Sequence, residues 1–595
     1  MKLSEMNLSI WEALKMSQYE IIKDGRCEYF IVTSEFADVT EHFAASELQK
    51  YIYQSTNVFI PYFSDRCPRR GKEILVGKAA RDNNADIDDV GDEGYVIRTL
   101  ASDILIAGNT PRGTMYGVYA FLERFLGFRA FTKDVEKIDA LAELTIGSCD
   151  IREKPAFEYR EAYFRFAWDT GFSVKNKLNA NLAPIPLERG GKFKFFNCHH
   201  SFFDLVPPKY YKETHPEYFS VREDDKVGTQ LCLSNPGVVS VAKAQLRRWI
   251  RENPTCKVFS IAQNDEVGYC QCPNCRKIDE ENGSPSGSII TFVNKLAEDI
   301  EKDYPDILLH TFAYAYSEKT PSKVKPRKNV IVRIANIDCH VGAFFDEWAK
   351  KGDNVYGARN CRLFMENLSA WTAVCERVYI WGYAVNFRNY LQPLLPIKEF
   401  AHNLRLYAKY GVKGVLMQGN FSYGGDASMG DLKAYLFSKL LWNPDADENK
   451  IVGEFIDGVY GKGAPYIKEY VRLMSEAVSD RVATIFDNAD AEYYSDELIA
   501  YCDKLFEQAE AVAETEEIRR RINREHLAME FMKTVRIEDD ERRAEAAENL
   551  KKKVIDHKLT EINERINLPL SFEYIKKSRY EKERKNWYNM YYIVR

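Results

Sequence analysis

"CKVFSIAQNDEVGYCQCPNC", Cys256–Cys275, starts as an apolar run of strand type and reaches two adjacent carboxylates, Asp265 and Glu266. It then turns at Gly268 and places three cysteines within six residues. A strand that ends in polar residues, then a loop, then a helical stretch, is the unit from which α/β barrels are built. The same rhythm recurs across residues of about 155–440. Further strand-type runs are YREAYFRFAW, KFKFFNCHH, ILLHTFAYAY, NVIVRIANID, RVYIWGYAV and GVKGVLMQG. Helical stretches such as GVVSVAKAQLRRWIRENP, SIITFVNKLAEDIEKDYP and IKEFAHNLRLYAKYG lie between them. Roughly seven such units predict a (β/α)8 TIM-like barrel over 151–455. The eighth strand is weak and is placed near NANLAPIPLERGG, residues 179–191.

Two flanking regions differ in pattern. Residues 1–150 read as a small α/β domain. CEYFIVTS and EILVGK are strands, and EGYVIRTLASDILIAGN is two strands around a turn. EHFAASELQKYIYQST and TPRGTMYGVYAFLERFLGFRAF carry apolar residues at helical spacing, the second with Pro111 at its start. Residues 456–595 are rich in Ala, Glu, Lys and Arg with spaced apolar positions, and read as a helical bundle whose charge runs are solvated faces. The fold class is therefore α/β, with a central barrel between a small α/β domain and a helical domain.

Composition narrows the function. The 595 residues are too many for one core. Hydrophobic residues make up 45% and charged residues 29%, as in an ordinary globular protein. The net charge of −6 and the lack of a long basic block in the first two thirds argue against nucleic acid as a partner. No run approaches the ~20 apolar residues of a membrane span. MKLSEMNLSIWEALKMSQYE has no basic segment followed by an apolar run, so the expected location is cytoplasmic, with most of the thirteen cysteines reduced. Oligomeric state is not legible.

In a barrel, chemistry gathers at the C-terminal ends of the strands. Here those ends carry Arg165, Trp168 and Asp169; Asn197, Cys198, His199 and His200; Gln263, Asn264, Asp265 and Glu266; Tyr314 and Tyr316; Asp338 and His340; Trp381 and Tyr383; Gln418 and Asn420. Flat aromatic rings suit the C–H faces of sugars, and amides and imidazoles bond hydroxyls. Polar residues also gather at the loop ends of any barrel, so it is the number of such ends together that points to a polar-ligand site. Glycoside hydrolysis uses two carboxyl functions, or one acid and a partner that handles a substrate acetamide. Asp265 and Glu266 are the candidate pair. Adjacent acids also occur on ordinary surfaces.

Cys270, Cys272 and Cys275 form C-x-C-x-x-C, a moderately specific metal pattern. Tetrahedral zinc needs a fourth ligand, for which Cys232 in QLCLSNP, His199 and His200 are candidates. A structural zinc is expected, with free thiols as the alternative and a redox pair a poorer one. No cofactor is expected to be required for catalysis.

The combination QLCLSNPGV, SIAQNDEVGYCQCPNC, KPRKNVIVR and GVKGVLMQGN followed by DLKAYLFSKLLWNPDAD and FIDGVYG resembles the bacterial domain of unknown function 4838. That domain is associated with glycoside hydrolase family 163, endo-acting β-N-acetylglucosaminidases. ILIAGNTPRGTMYGVYAFLERFLGFRAF resembles the small domain that precedes the barrel in α-glucuronidases and β-hexosaminidases. The resemblance implies a glycan substrate and retaining, acetamido-assisted cleavage of β-linked N-acetylglucosamine. It implies Asp265 as the functional carboxylate, with Glu266 matching less securely, and sugar contacts at His200, His340, Trp381, Tyr383 and Gln418. Asn264 matches beside Asp265, and Tyr314, Tyr316 and Asn420 join the expected contacts as strand-end residues. The alternatives are an α-glucuronidase-like hydrolase, reading a substrate carboxylate with Arg165 or Arg388, and a non-catalytic glycan-binding protein.

Overall fold

The structure is a computed structural model. It describes residues 18–577 except 84, 180, 223–226, 353–354, 356, 423, 425–427 and 565. The sequence reading of residues 1–17 and of 578–595 therefore lies outside the described residues. The chain packs as two compact units. One holds residues up to 158 with 166–192 and 441–443; the other holds 159–165, 193–440 and the residues from 444 onward.

The first unit is an α/β layer. Its six-stranded sheet contains Tyr29–Thr33, Lys72–Val76, Tyr95–Thr99 and Ile104–Gly108, the last two paired antiparallel as the turn between them predicts. Helices Val39–Thr56 and Pro111–Phe125 cover the sheet. The first is fixed at its start by a capping box, Asp38 with Glu41, and the second begins at Pro111 with Thr110 as cap.

The second unit is built on a seven-stranded parallel sheet. Its strands are β1 (Tyr159–Tyr163), β2 (Phe195–Phe196), β3 (Val258–Ser260), β4 (Leu308–Ala313), β5 (Val330–Ala335), β6 (Arg377–Tyr383) and β7 (Gly414–Gln418). All seven fall inside the runs read from sequence. The order is β1-β7-β6-β5-β4-β3-β2, with every neighbouring pair parallel. Helices α1 (Pro236–Glu252), α2 (Pro273–Asn282), α3 (Ser286–Glu301), α4 (Ala358–Val374), α5 (Ile397–Lys409) and α6 (Gly430–Trp442) fill most crossovers. The β4-to-β5 link holds only a short 3-10 turn at Ala315–Ser317 among its described residues. Parallel strands are buried on both faces, which is why β5, VIVRIA, and β7, GVLMQ, read as near-continuous apolar runs.

Among the described residues the expected eight-stranded closed barrel does not form. The sheet is a curled half-barrel of seven strands, and its edges β1 and β2 are not hydrogen-bonded to each other. Among the described residues, 179–191 hold no strand, only a 3-10 turn at Leu187–Arg189. The physical reason is local. Pro184 and Pro186 have no N–H to give to a ladder, and Gly190 and Gly191 take positive φ. Side chains bring the open edges together instead. The Tyr159 ring lies 5.1 Å from Phe195 and stacks on Tyr379 at 5.7 Å.

Beyond α6, helices Glu448–Tyr460, Ala464–Val478, Asp496–Ala511, Glu516–Val535 and Asp540–Asp556 belong to the same compact unit. Arg524 holds this region to the sheet side through Asp431 at 2.6 Å, while Glu525 accepts from the Met429 N–H at 2.6 Å. Among the described residues no helix is long and apolar enough to cross a membrane.

Candidate functional site

The concave face of the curled sheet is lined by alternate residues of the strands: Tyr159, Glu161 and Tyr163 from β1, His310 and Phe312 from β4, Arg333 from β5, and Tyr379 and Trp381 from β6. Arg333 is fully buried, and its guanidinium lies 5.1–5.7 Å from the ring centres of Phe195, Tyr159, Trp381 and Tyr379. Four aromatic faces hold this cation, and no hydrogen bond reaches its nitrogens among the described residues. Burial first, and then the Arg333 charge, push His310 well below the usual imidazole range, so it is neutral. Its Nδ1 meets the Ser260 hydroxyl at 3.0 Å, and that hydroxyl donates to the His199 carbonyl at 2.7 Å. The network therefore places the imidazole proton on Nδ1. It also fixes the end of β2 against β3.

That fixed end carries His200. Its Nδ1 donates to the Gln263 carbonyl at 2.5 Å, leaving Nε2 to face Asp265 Oδ1 at 3.9 Å. Asp265 is 45% exposed at its side chain and His200 32%, so both are open to a ligand. The His200 ring lies 5.2 Å from Phe312 and 6.2 Å from Tyr314. Phe312 in turn lies 5.9 Å from Trp381, whose indole N–H donates to Gln418 Oε1 at 2.7 Å. Tyr163 adds a ring 6.1 Å from Trp381, with Phe421 5.1 Å beyond it. Asp265, His200, Tyr314, Trp381 and Gln418 thus form one connected patch, a carboxylate and an imidazole beside an aromatic wall.

The other candidates lie elsewhere. Glu266 is exposed, and among the described residues its side chain makes no hydrogen bond or ion pair. The Asn264 side-chain amide donates to the Thr229 carbonyl at 2.7 Å, so it braces the loop. Tyr383 packs edge-on against Phe387. Asn420 is fully buried, with its carbonyl accepting from the Arg165 N–H at 2.8 Å. His340 is 3% exposed, packed near Trp348 and directly under Gly357, where a Cβ would strike its ring. Burial lowers the His340 pKa and keeps it neutral. Tyr316 stacks on Tyr269 at 4.8 Å and borders a small cavity shared with Cys270 and Cys275. Arg388 is 8% exposed, with Nε donating to the Phe486 carbonyl.

The four cysteines do converge. The sulfurs of Cys232, Cys270, Cys272 and Cys275 all lie within 4.8 Å of one another, and His199 and His200 are not in that group. Hydrogen bonds among the sulfurs hold Cys270 down as the shared acceptor and push Cys232 and Cys275 up as donors. These four residues could hold a metal.

Several residues of the site were not found from sequence, among them Phe312, Tyr163, Gln230 and Arg333. Gln230, 1% exposed, receives the Asn264 N–H at 2.9 Å and donates to the carbonyls of Asn264 and Glu266 at 2.8 and 2.7 Å. Its only signal was its place two residues before Cys232. Arg333 had a clearer one, a lone charge inside VIVRIA.

Residues 130–472, more than half of the chain, match the family described as a domain of unknown function, DUF4838. Residues 26–121 match the glycosyl hydrolase family 67 N-terminus. No curated protein matches the chain. Among solved structures the fold is similar to that of a GH138 enzyme targeting pectin rhamnogalacturonan II. The TM-score is 0.51 at 9% identity, over 95% of this chain and 99% of that one. The fold and the N-terminal segment are thus glycoside hydrolase-like.

Proposed function

The chain belongs to the DUF4838 family, and from that premise we propose that it is a glycoside hydrolase cleaving β-linked N-acetylglucosamine in glycans. The observation that carries the reading is the pairing of Asp265 with His200 beside the Phe312–Trp381 wall. A sugar ring stacks on the aromatic faces while the polar pair meets its substituents. In the acetamido-assisted route the substrate's own acetamide oxygen attacks the anomeric carbon as the glycosidic bond breaks. Asp265 accepts the acetamide N–H and balances the positive charge that develops on the resulting ring. A general acid gives its proton to the departing oxygen and recovers one from the water that opens the intermediate; Glu266, next to Asp265 in the chain, is the provisional candidate for that acid. His200, with its Nε2 beside the carboxylate, contacts the sugar.

A glycan panel with mass analysis of products tests the proposal. Wild type is expected to release N-acetylglucosamine-terminated products. Asp265→Asn is expected to lose on the order of 10²–10⁴-fold in turnover with unchanged folding. Undiminished turnover by Asp265→Asn rejects the role of that carboxylate. A second reading, an α-glucuronidase-like hydrolase, draws on the family 67 N-terminal match. Release of a uronic acid without any N-acetylglucosamine product favours it. Binding across the panel without turnover favours a non-catalytic glycan-binding protein.

A further inference from the structure

We propose that Cys232, Cys270, Cys272 and Cys275 bind one structural zinc ion, which fixes the loop carrying Asp265 by way of Gln230. The four thiols come from three pieces of chain. Cys232 follows the hairpin of Phe219–Val221 and Val227–Leu231. Cys270 ends the loop after β3. Cys272 caps α2, and Cys275 lies in its first turn. The Cys232–Cys272 and Cys232–Cys275 sulfur separations are 3.7 and 4.0 Å. A tetrahedron with Zn–S bonds of about 2.3 Å has an edge of about 3.8 Å. A disulfide needs about 2.05 Å, and all four cysteines are free. The Cys275 N–H points at Cys272 Sγ at 3.5 Å, a backbone donor aimed at a ligand sulfur. Three of the four residues are buried. Four protein thiolates fill a tetrahedral site and leave no position for substrate, so this metal is a clamp.

What the clamp holds is specific. Gln230 lies two residues before Cys232, and its amide makes all three bonds to the main chain on either side of Asp265. Tying Cys232 to Cys270, Cys272 and Cys275 fixes the hairpin that carries Gln230 against the loop that carries the carboxylate. Gln230 is accordingly a positioning residue. This inference does not depend on which glycan, if any, is cleaved.

The test uses the full chain and reads metal and backbone, not activity. Elemental analysis of the purified protein is expected to give one zinc per chain. Substituted cobalt is expected to show the intense visible bands of a tetrahedral tetrathiolate site. The double variant Cys272→Ser, Cys275→Ser is expected to lose the metal, and Cys67→Ser to keep it. Stripping zinc from wild type with a chelator is expected to speed hydrogen exchange in a peptide spanning 260–275 and to leave β5 unchanged. Two results overturn the proposal, and both are read on wild type, so they hold even where the variants fail to fold. One is no bound metal after incubation with zinc under reducing conditions, with all four thiols alkylating freely. The other is stoichiometric iron in place of zinc, which makes the site a redox centre.

Discussion

Replacing Gln230 isolates the link between the cysteine cluster and the carboxylate loop. Gln230→Leu keeps the size of the side chain and removes three hydrogen bonds, to the Asn264 N–H and to the Asn264 and Glu266 carbonyls. Asn264 is half-buried and Glu266 is exposed, so water re-solvates part of what is lost. About 1 kcal/mol per bond is then appropriate, about 3 kcal/mol in all. At 1.4 kcal/mol per factor of ten, the loop should open on the order of 100-fold more often. Hydrogen exchange reads this directly, because the Asn264 amide is itself a donor to Gln230. Its exchange is expected to accelerate on the order of 100-fold while the β5 and β6 amides keep their protection. Turnover of whichever glycan the wild type cleaves should fall by about the same factor, since displacing a catalytic group by about 1 Å costs roughly 10². Gln230→Glu sharpens the test. At neutral pH its carboxylate faces two carbonyl oxygens and should be at least as disruptive as leucine. Protonation at lower pH restores one donor and should recover part of the protection. If Asn264 exchanges in Gln230→Leu as slowly as in wild type, Gln230 does not hold the loop and the coupling is refuted.

Three other outcomes are expected. His526 is buried, which alone would push its pKa down, but Asp503 at 2.9 Å and Glu510 at 2.6 Å hold it up at about 9. Folding therefore takes up a proton. About 3 kcal/mol of stability is fully present below about pH 6.5 and is lost as pH rises through about 9. Thermal unfolding of His526→Gln should lack that slope, and an equal slope in both proteins refutes it. Lys433 is buried, donates to the Ala384 carbonyl at 3.0 Å, and is pushed down to about 7 by burial. The unfolded chain holds that proton more tightly, so the penalty is full below pH 7 and fades toward about pH 10.4. Lys433→Met should raise stability at pH 6 by roughly 3 kcal/mol, and a loss at that pH refutes it. Trp381→Phe removes the donor to Gln418 at 2.7 Å and keeps a ring in place. Gln418 then loses its anchor in the patch, and the substrate KM should rise by about fivefold, a single hydrogen bond being worth about 1 kcal/mol; an unchanged KM refutes the role.

The sequence by itself determined the elements. Seven strands fell inside seven apolar runs because a parallel strand covered on both faces must be apolar along its length, and that is a local property. Helices α1, α3 and α5 declared themselves by their spacing, and C-x-C-x-x-C by its composition. Asp265 stood out because it follows such a strand. Tertiary structure decided the rest, because it depends on which distant pieces meet. The eighth strand failed at Pro184 and Pro186, and a ring of aromatic side chains around Arg333 stands across the gap between β1 and β2. Three residues could have completed the cysteine set, and only packing chose Cys232 over His199 and His200. The strand ends, alike in sequence, were divided the same way. Curl of the sheet gathered Asp265, His200, Trp381 and Gln418, while His340 and Asn420 were buried. Periodicity in a sequence records how deeply each residue is buried, and it carries no record of what each is buried against.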